Sequence, residues 1–170
     1  MNRPALYIFS GLPGSGKSTL SQMLASRLSA AYLRIDTIEQ ALRDLCSVDV
    51  HGEGYGMAYR LAADNLKAGV SVIADSCNPI ELTRSTWNRV AIDTNARFAN
   101  IEVVCSDQRE HKTRIETRPL TIPGLKLPTW SEVQHREYES WTTERIVIDT
   151  AGRGAGTCFD ELLLRLADVS

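Results

Sequence analysis

The sequence has only four cysteines, Cys46, Cys77, Cys105 and Cys158, and no two of them form a C-x-x-C pair. That spacing excludes a zinc ribbon and offers no disulfide frame; it predicts reduced, mostly buried thiols of the kind a cytoplasmic protein carries. The three histidines, His51, His111 and His135, are equally scattered and show no metal-ligand spacing. No apolar run approaches the length of a membrane span, and the N-terminus leads straight into a strand pattern, so a cytoplasmic protein without a membrane partner is the expectation. A strong charge of either sign is also missing. The 19 Lys and Arg against 21 Asp and Glu leave a formal −2, which argues against nucleic-acid binding through bulk positive charge while leaving room for a local basic groove. Repeats, linkers and low-complexity segments are absent too, so 170 residues at 43% hydrophobic content read as one domain, 1–170, with a substantial core.

What the sequence does contain is Gly11-Leu12-Pro13-Gly14-Ser15-Gly16-Lys17-Ser18, a full match to the phosphate-binding pattern G-x-x-x-x-G-K-[ST]. It follows an apolar run, Ala5 to Phe9, and precedes a segment with helical periodicity. A polyphosphate wrapped by backbone N–H groups needs glycines where a Cβ would collide, and it gains from the positive end of a helix dipole. In such a loop, residues 11 to 19, including Thr19, form the cradle; Lys17 reaches the β- and γ-phosphates and the Ser18 hydroxyl holds Mg²⁺.

The rest of the chain alternates strand and helix. A first helix is predicted over Lys17–Ser29, with Leu20, Leu24 and Leu28 spaced four apart. Strand two is predicted at Tyr32–Ile35, ending at Asp36, with a helix from Thr37 to Leu45. The glycines Gly52, Gly54 and Gly56 predict a turned or mobile loop before a helix over Tyr59–Lys67. Val70–Ala74 reads as strand three with Asp75 at its carboxyl end, and Pro79 opens a helix through Trp87. Strand four is Phe98–Cys105. Asp107, with Glu110 three residues on, is an N-cap signature for a charged helix reaching Arg118. Three prolines, Pro119, Pro123 and Pro128, mark an irregular stretch ahead of a helix over Ser131–Trp141. Ile146–Ile148 is strand five and Phe159–Leu166 the last helix. The expected fold is therefore α/β: five parallel strands with helices on both faces, in the three-layer manner of P-loop NTPases, and a small helical lid over residues 106–130.

In such sheets ligands bind beyond the carboxyl ends of the strands, where the P-loop, Asp36, Asp75 and the segment after Cys105 all fall. Phosphoryl transfer needs a phosphate cradle, a metal, cations and a carboxylate that takes the acceptor proton. Asp36 and Asp75 are the available carboxylates, although either is also suited to capping a helix or turn. The cations are expected from Arg109, Lys112, Arg114 and Arg118. Arg114 and Arg118 share a helical face, where like charges repel unless an anion or carboxylate stands opposite. Tyr55, Tyr59 and Arg60 are candidates for an acceptor pocket or for packing alone, Trp87 for the core, and Trp130 and Trp141 for ligand contact or anchorage.

Taken together, these segments resemble the small P-loop kinases grouped with chloramphenicol phosphotransferase, polynucleotide 5′-kinases, gluconate kinase and the zeta toxins, often filed as AAA-type ATP-binding proteins. The resemblance runs over Gly11–Ser18, Arg34-Ile35-Asp36, Gly69 to Asn78 with its D-x-x-N element, Cys105-Ser106-Asp107 leading to Arg114 and Arg118, and Ile148-Asp149-Thr150-Ala151. It implies ATP and Mg²⁺ as cofactors, Asp36 as general base, Asp75 as a metal or substrate ligand with Ser18, and Arg114 and Arg118 as lid arginines. Asp36, Arg60 and Asn78 are the candidates for acceptor contacts. No second acidic residue follows strand three, which disfavours a water-activating ATPase and favours transfer to a bound hydroxyl. Asp149-Thr150-Ala151-Gly152 spells the D-x-x-G element of GTPases, but it follows the last strand and no N-K-x-D accompanies it, so it is expected to form the turn beside the adenine. The leading expectation is an ATP-dependent phosphotransferase acting on a hydroxyl of a small molecule. A 5′-hydroxyl nucleic-acid kinase and a regulatory or toxin-like ATP-binding module are the alternatives.

Overall fold

Ala5–Ser10 leaves almost no side chain exposed, which requires cover on both faces. In the computed structural model, which describes residues 3–168, it forms the central strand β1 of a five-stranded, all-parallel sheet. The other strands are β2 (Ala31–Arg34), β3 (Val72–Asp75), β4 (Arg97–Val104) and β5 (Ile146–Asp149), in the order β2-β3-β1-β4-β5. The helices are α1 (Lys17–Leu28), α2 (Ile35–Cys46), α3 (Glu53–Lys67), α4 (Glu81–Asp93), α5 (Gln108–Thr117), α6 (Trp130–Gln134) and α7 (Ala155–Asp168).

The period of two along β1 divides the core. Phe9 joins Leu20, Leu24, Ile148 and Leu162 under α1 and α7. Leu6 and Ile8 join Ala58, Ala62, Leu66 and Trp87 under α3 and α4. Register then gathers the strand ends: Asp75 lies opposite both Phe9 and Arg34, and Val104 opposite Asp149. From β1 the chain leaves toward one edge of the sheet and from β4 toward the other, so a crevice opens between them at the carboxyl edge.

Three expected boundaries move, each for a packing reason. Strand two stops at Arg34 and the helix starts at Ile35, because Ile35 is buried among the α3-side core residues; Asp36 is therefore the second residue of α2 rather than its cap. The glycine-rich stretch is not a loop: Gly54 and Gly56 lie in the first turn of α3. A Cβ on Gly54 would fall 2.3 Å from Cγ of Glu39, so this glycine lets α3 approach α2 closely. The helix expected over Ser131–Trp141 ends at Gln134. Smaller shifts move the start of strand three to Val72 and that of the following helix to Glu81.

Residues 138–141, expected to continue α6, are instead gathered around Arg84 of α4, which is fully buried. Its guanidinium and Nε donate to the carbonyls of Asn78, Pro79, Glu139 and Ser140, at 2.8 to 3.3 Å. Its face stacks on Trp141 at 4.2 Å and on Tyr138 at 5.0 Å. The Glu139 and Ser140 carbonyls are thereby satisfied outside any helix. Hydrogen bonds to charged groups contribute about 1.5–3 kcal/mol each, so Arg84→Met is expected to lower unfolding free energy by roughly 3 kcal/mol or more. Denaturant titration checks this; a loss below about 1 kcal/mol would mean that the 138–141 segment holds its place without Arg84.

Candidate active site

The loop from β1 to α1 is shaped by its glycines. Gly11 sits at φ +140°, and a Cβ there would lie 2.2 Å from the Val103 carbonyl oxygen of β4; no side chain fits. Gly16 caps α1 at φ +96°, in the left-handed region, and turns the first amides of α1 toward the crevice. The helix end thereby presents free N–H groups and positive dipole to whatever occupies the crevice. Pro13, Gly14, Gly16, Lys17, Ser18 and Thr19 line a cleft of about 880 Å³, while Gly11, Leu12 and Ser15 form the turn behind it. Lys17 is largely buried, and among the described residues it has no ion-pair partner.

The second wall is α5, fastened to the loop rather than swung away from it. Asp107 caps α5 by accepting from the amides of Arg109 and Glu110, as its spacing predicts. Nε2 of His111 donates to the Pro13 carbonyl at 2.7 Å, and Ile115 packs on Gly14 so tightly that a Cβ there would meet its Cδ1 at 2.7 Å. Arg114 lines the cleft beside Gly16. It donates to the Thr150 hydroxyl at 2.7 Å, the Thr150 carbonyl at 2.9 Å and Glu110 at 2.6 Å. The D-x-x-G stretch is a turn here: Asp149 accepts from the amides of Ser106 and Ala151, which hold its carboxyl below the usual range against the opposing effect of burial.

The third wall is α2. Asp36 opens into the cleft with its side chain 52% exposed, 3.9 Å from Nη2 of Arg34. Beyond α5 the chain crosses toward α2, where Thr121 accepts from Arg34 at 3.2 Å and Gly124 lies against Gln40. Arg118, just past the end of α5, lines this part of the cleft, with Asp36, Arg34 and Arg136 as its charged neighbours.

Asp75 lies at the same sheet edge but is buried, its Oδ2 accepting from the Tyr32 hydroxyl at 2.6 Å. Its Oδ1 is buried without a hydrogen-bond partner among the described residues. Magnesium takes hard oxygen donors and relies on phosphates and water for most of its shell. An orphaned carboxylate oxygen beneath the loop and the Ser18 hydroxyl in the cleft fit that demand. Among the described residues, no group of three or more His, Cys, Asp or Glu is placed to hold a metal.

The family model described as AAA domain matches residues 6–138 of this sequence. The chain belongs to the AAA domain family. No curated protein matches its sequence. Solved structures share its fold at low identity. A candidate kinase from Chloroflexus aurantiacus is 22% identical over 100% of both chains, with a TM-score of 0.75. The APS kinase of Mycobacterium tuberculosis, in complex with AMPPNP and APS, is 17% identical over 98% of this chain and 99% of that one, with a TM-score of 0.74. A gluconokinase from Sinorhizobium meliloti is 15% identical over 99% and 94%, with a TM-score of 0.70. At such identities the likeness establishes the fold alone.

Several side chains singled out from the sequence lie outside the cleft of this AAA domain. Arg60 is exposed on α3 and is not among the residues that line the cleft. Asn78 is fully buried at φ +52°, its amide donating to Ser10 and its backbone N–H to the Tyr55 hydroxyl. Tyr59 stacks edge-on with Trp87 at 4.6 Å, and burial pushes its hydroxyl up to about 12. Trp130 packs on His111 and Trp141 on Arg84, so both anchor backbone. Conversely, Glu39, Gln40 and Arg43 line the cleft with Asp36. Their spacing at 36, 39, 40 and 43 is one face of a helix, a signal present in the sequence. Arg136 and Arg153 also line the cleft, and nothing in their local pattern marks them.

Proposed function

We propose that this AAA domain transfers the γ-phosphoryl group of ATP to a hydroxyl of a small molecule. The observation that carries the reading is the shared cleft: an unpaired Lys17 in a phosphate loop on one wall and a solvent-facing Asp36 on another. The acceptor oxygen attacks the γ-phosphorus, the bond from that phosphorus to the β,γ-bridging oxygen breaks, and ADP leaves. Asp36 takes the hydroxyl proton. Lys17 and Arg114 face the phosphates and offset the charge that spreads over the moving group. Ser18 and Asp75 would hold magnesium, which would supply neutralisation of the charge on the nucleotide's phosphates. The stretch from Arg118 to Thr129 roofs the acceptor end through Thr121 and Gly124, which limits access by bulk water and favours a small acceptor over a strand that must thread through. The APS kinase and gluconokinase neighbours, by their names, act on small acceptors of this kind.

The test is release of ADP across sugars, sugar acids, nucleosides, antibiotic alcohols and 5′-hydroxyl oligonucleotides. Acceptor-dependent release supports transfer; release that ignores every acceptor would leave a nucleotide-hydrolysing or regulatory module. A finer expectation concerns Arg114. Its cation sits beside Gly16, so Arg114→Ala should lower kcat by about 10²-fold while the Kd for ATP changes far less. If ATP affinity collapses and kcat holds, Arg114 clamps the ground state instead.

A further inference from the structure

Charge is unevenly shared along the cleft. Near the phosphate loop the arginines each have a carboxylate partner, Glu110 for Arg114 and Glu161 at 2.7 Å for Arg153, and Lys17 has no ion pair among the described residues. The other end, built by Arg34 at the close of β2, the cleft face of α2, residues 118–128 and Arg136 just past α6, carries five cations, Arg34, Arg43, Arg118, Lys126 and Arg136, against two carboxylates in its lining, Asp36 and Glu39, with Glu132 of α6 beside Lys126 and Arg136. This excess stands in a chain whose net charge is −2. Glu39 is engaged by Arg43 at 3.5 Å. Arg34 lies 3.9 Å from both Asp36 and Asp75, too far for a hydrogen bond to either. The Nε–H groups of Arg34 and Arg118 are buried and find no acceptor among the described residues. Burial, with Arg34 and Arg136 alongside, depresses the Arg118 guanidinium below its ordinary value against the opposing effect of Asp36.

Guanidinium forks gathered in this way, with donors unspent, match a planar or tetrahedral oxyanion, to which arginine binds in bidentate fashion. We propose that the acceptor is a small molecule carrying an anionic group, a carboxylate, phosphate or sulfate, held by Arg34, Arg118 and Arg136 while its hydroxyl faces Asp36. The inference rests on the phosphotransferase reading and names its substrate class. Asp36 cannot itself satisfy the cluster, because one exposed carboxylate at 3.9 Å leaves the Nε donors untouched. The anion would fill that gap and turn the hydroxyl end toward the phosphate loop.

The experiment measures ADP release with acceptor pairs that differ only in the anionic group: sugar against sugar acid, sugar against sugar phosphate, alcohol against its sulfate ester, and nucleoside against nucleotide. A 5′-hydroxyl oligonucleotide is included, and all are run with wild type and Arg136→Gln. Arg136 is exposed, so its loss should leave the fold intact, which the melting midpoint verifies. The expected result is a preference of at least about tenfold in kcat/KM for one class of charged acceptor, lost in Arg136→Gln through KM, with ATP affinity unchanged. Comparison of the carboxylate, phosphate and sulfate arms names the source of the anion. Equal use of charged and neutral members, a preference that survives Arg136→Gln, or activity on the oligonucleotide alone overturns the inference while leaving a kinase. If no acceptor releases ADP, the phosphotransferase reading fails. Calorimetric titration of the ATP-loaded protein with sulfate and with phosphate then decides about the anion site: binding weakened about tenfold or more in Arg34→Gln/Arg136→Gln supports it, and unchanged or absent binding overturns it.

Discussion

Lys17→Ala is expected to abolish most of the stabilisation that ATP with Mg²⁺ gives the protein. A ligand that binds only the native state adds RT ln(1 + [L]/Kd), about 2.7 kcal/mol at a hundredfold excess over Kd. In a domain of this size that corresponds to a rise of roughly 5–10 °C in Tm. Lys17 is the ammonium of the loop, lies largely buried at the start of α1, and has no ion pair to compensate its charge among the described residues. Its removal leaves the backbone cradle but takes away the cation that meets the terminal phosphates. Thermal melts of wild type and variant over an ATP titration measure the effect. Equal stabilisation in both proteins would detach nucleotide binding from this loop.

The largest kinetic effect is expected at Asp36. Asp36→Asn keeps the side chain's shape but removes its basicity, and general-base catalysis contributes about 10²–10⁴-fold, so transfer should fall by that factor. Stability should barely move. The side chain is 52% exposed, and what the charge gives the first turn of α2 through the helix dipole is at most about 1 kcal/mol. ATP affinity should likewise hold, the pattern of an interaction made mainly in the transition state. The measurement pairs single-turnover transfer with ATP and Mg²⁺ titrations on Asp36→Asn and Asp75→Asn, using the acceptor that the screen identifies. Asp75→Asn should instead raise the Mg²⁺ requirement. Full activity in Asp36→Asn would reduce that residue to a favourable charge at a helix end and pass the base to Glu39, one turn along the same face, whose carboxyl is raised chiefly by burial.

The shape of the loop from β1 to α1 was legible in the sequence because its demands are local. Glycines at 11, 14 and 16 are needed by backbone geometry within eight residues, and that need survives in any fold that uses them. The strand order was legible only as a class, since alternation of strand and helix implies a parallel sheet without saying which strand is central. The end of the cleft away from that loop was read least well, for a physical reason. Its residues come from the end of β2, from α2, from the segment after Arg118 and from Arg136 just past α6, and the chain beyond Arg136 is held by Arg84, some fifty residues earlier. Propensity over 131–141 says helix; the helix ends at Gln134, and beyond it one buried guanidinium takes the Glu139 and Ser140 carbonyls, a tertiary contact that local propensity cannot register. Gly54 misled in the same way, being a point of close helix approach that looks like a turn when read alone.

The stitching of α5 to the phosphate loop has an evolutionary corollary. His111, Ile115 and Arg114 weld one half of the cleft into a fixed socket, whereas the opposite half is made of side chains of α2 and a roof that meets Arg34 through Thr121 and α2 through Gly124. Mutations that reshape the roof or recolour the α2 face therefore leave the socket undisturbed. Under the proposed function, exchanging one short stretch and a handful of residues would retarget such a chassis, so recombination of the 118–136 segment between distant relatives is expected to transplant selectivity without rebuilding the socket.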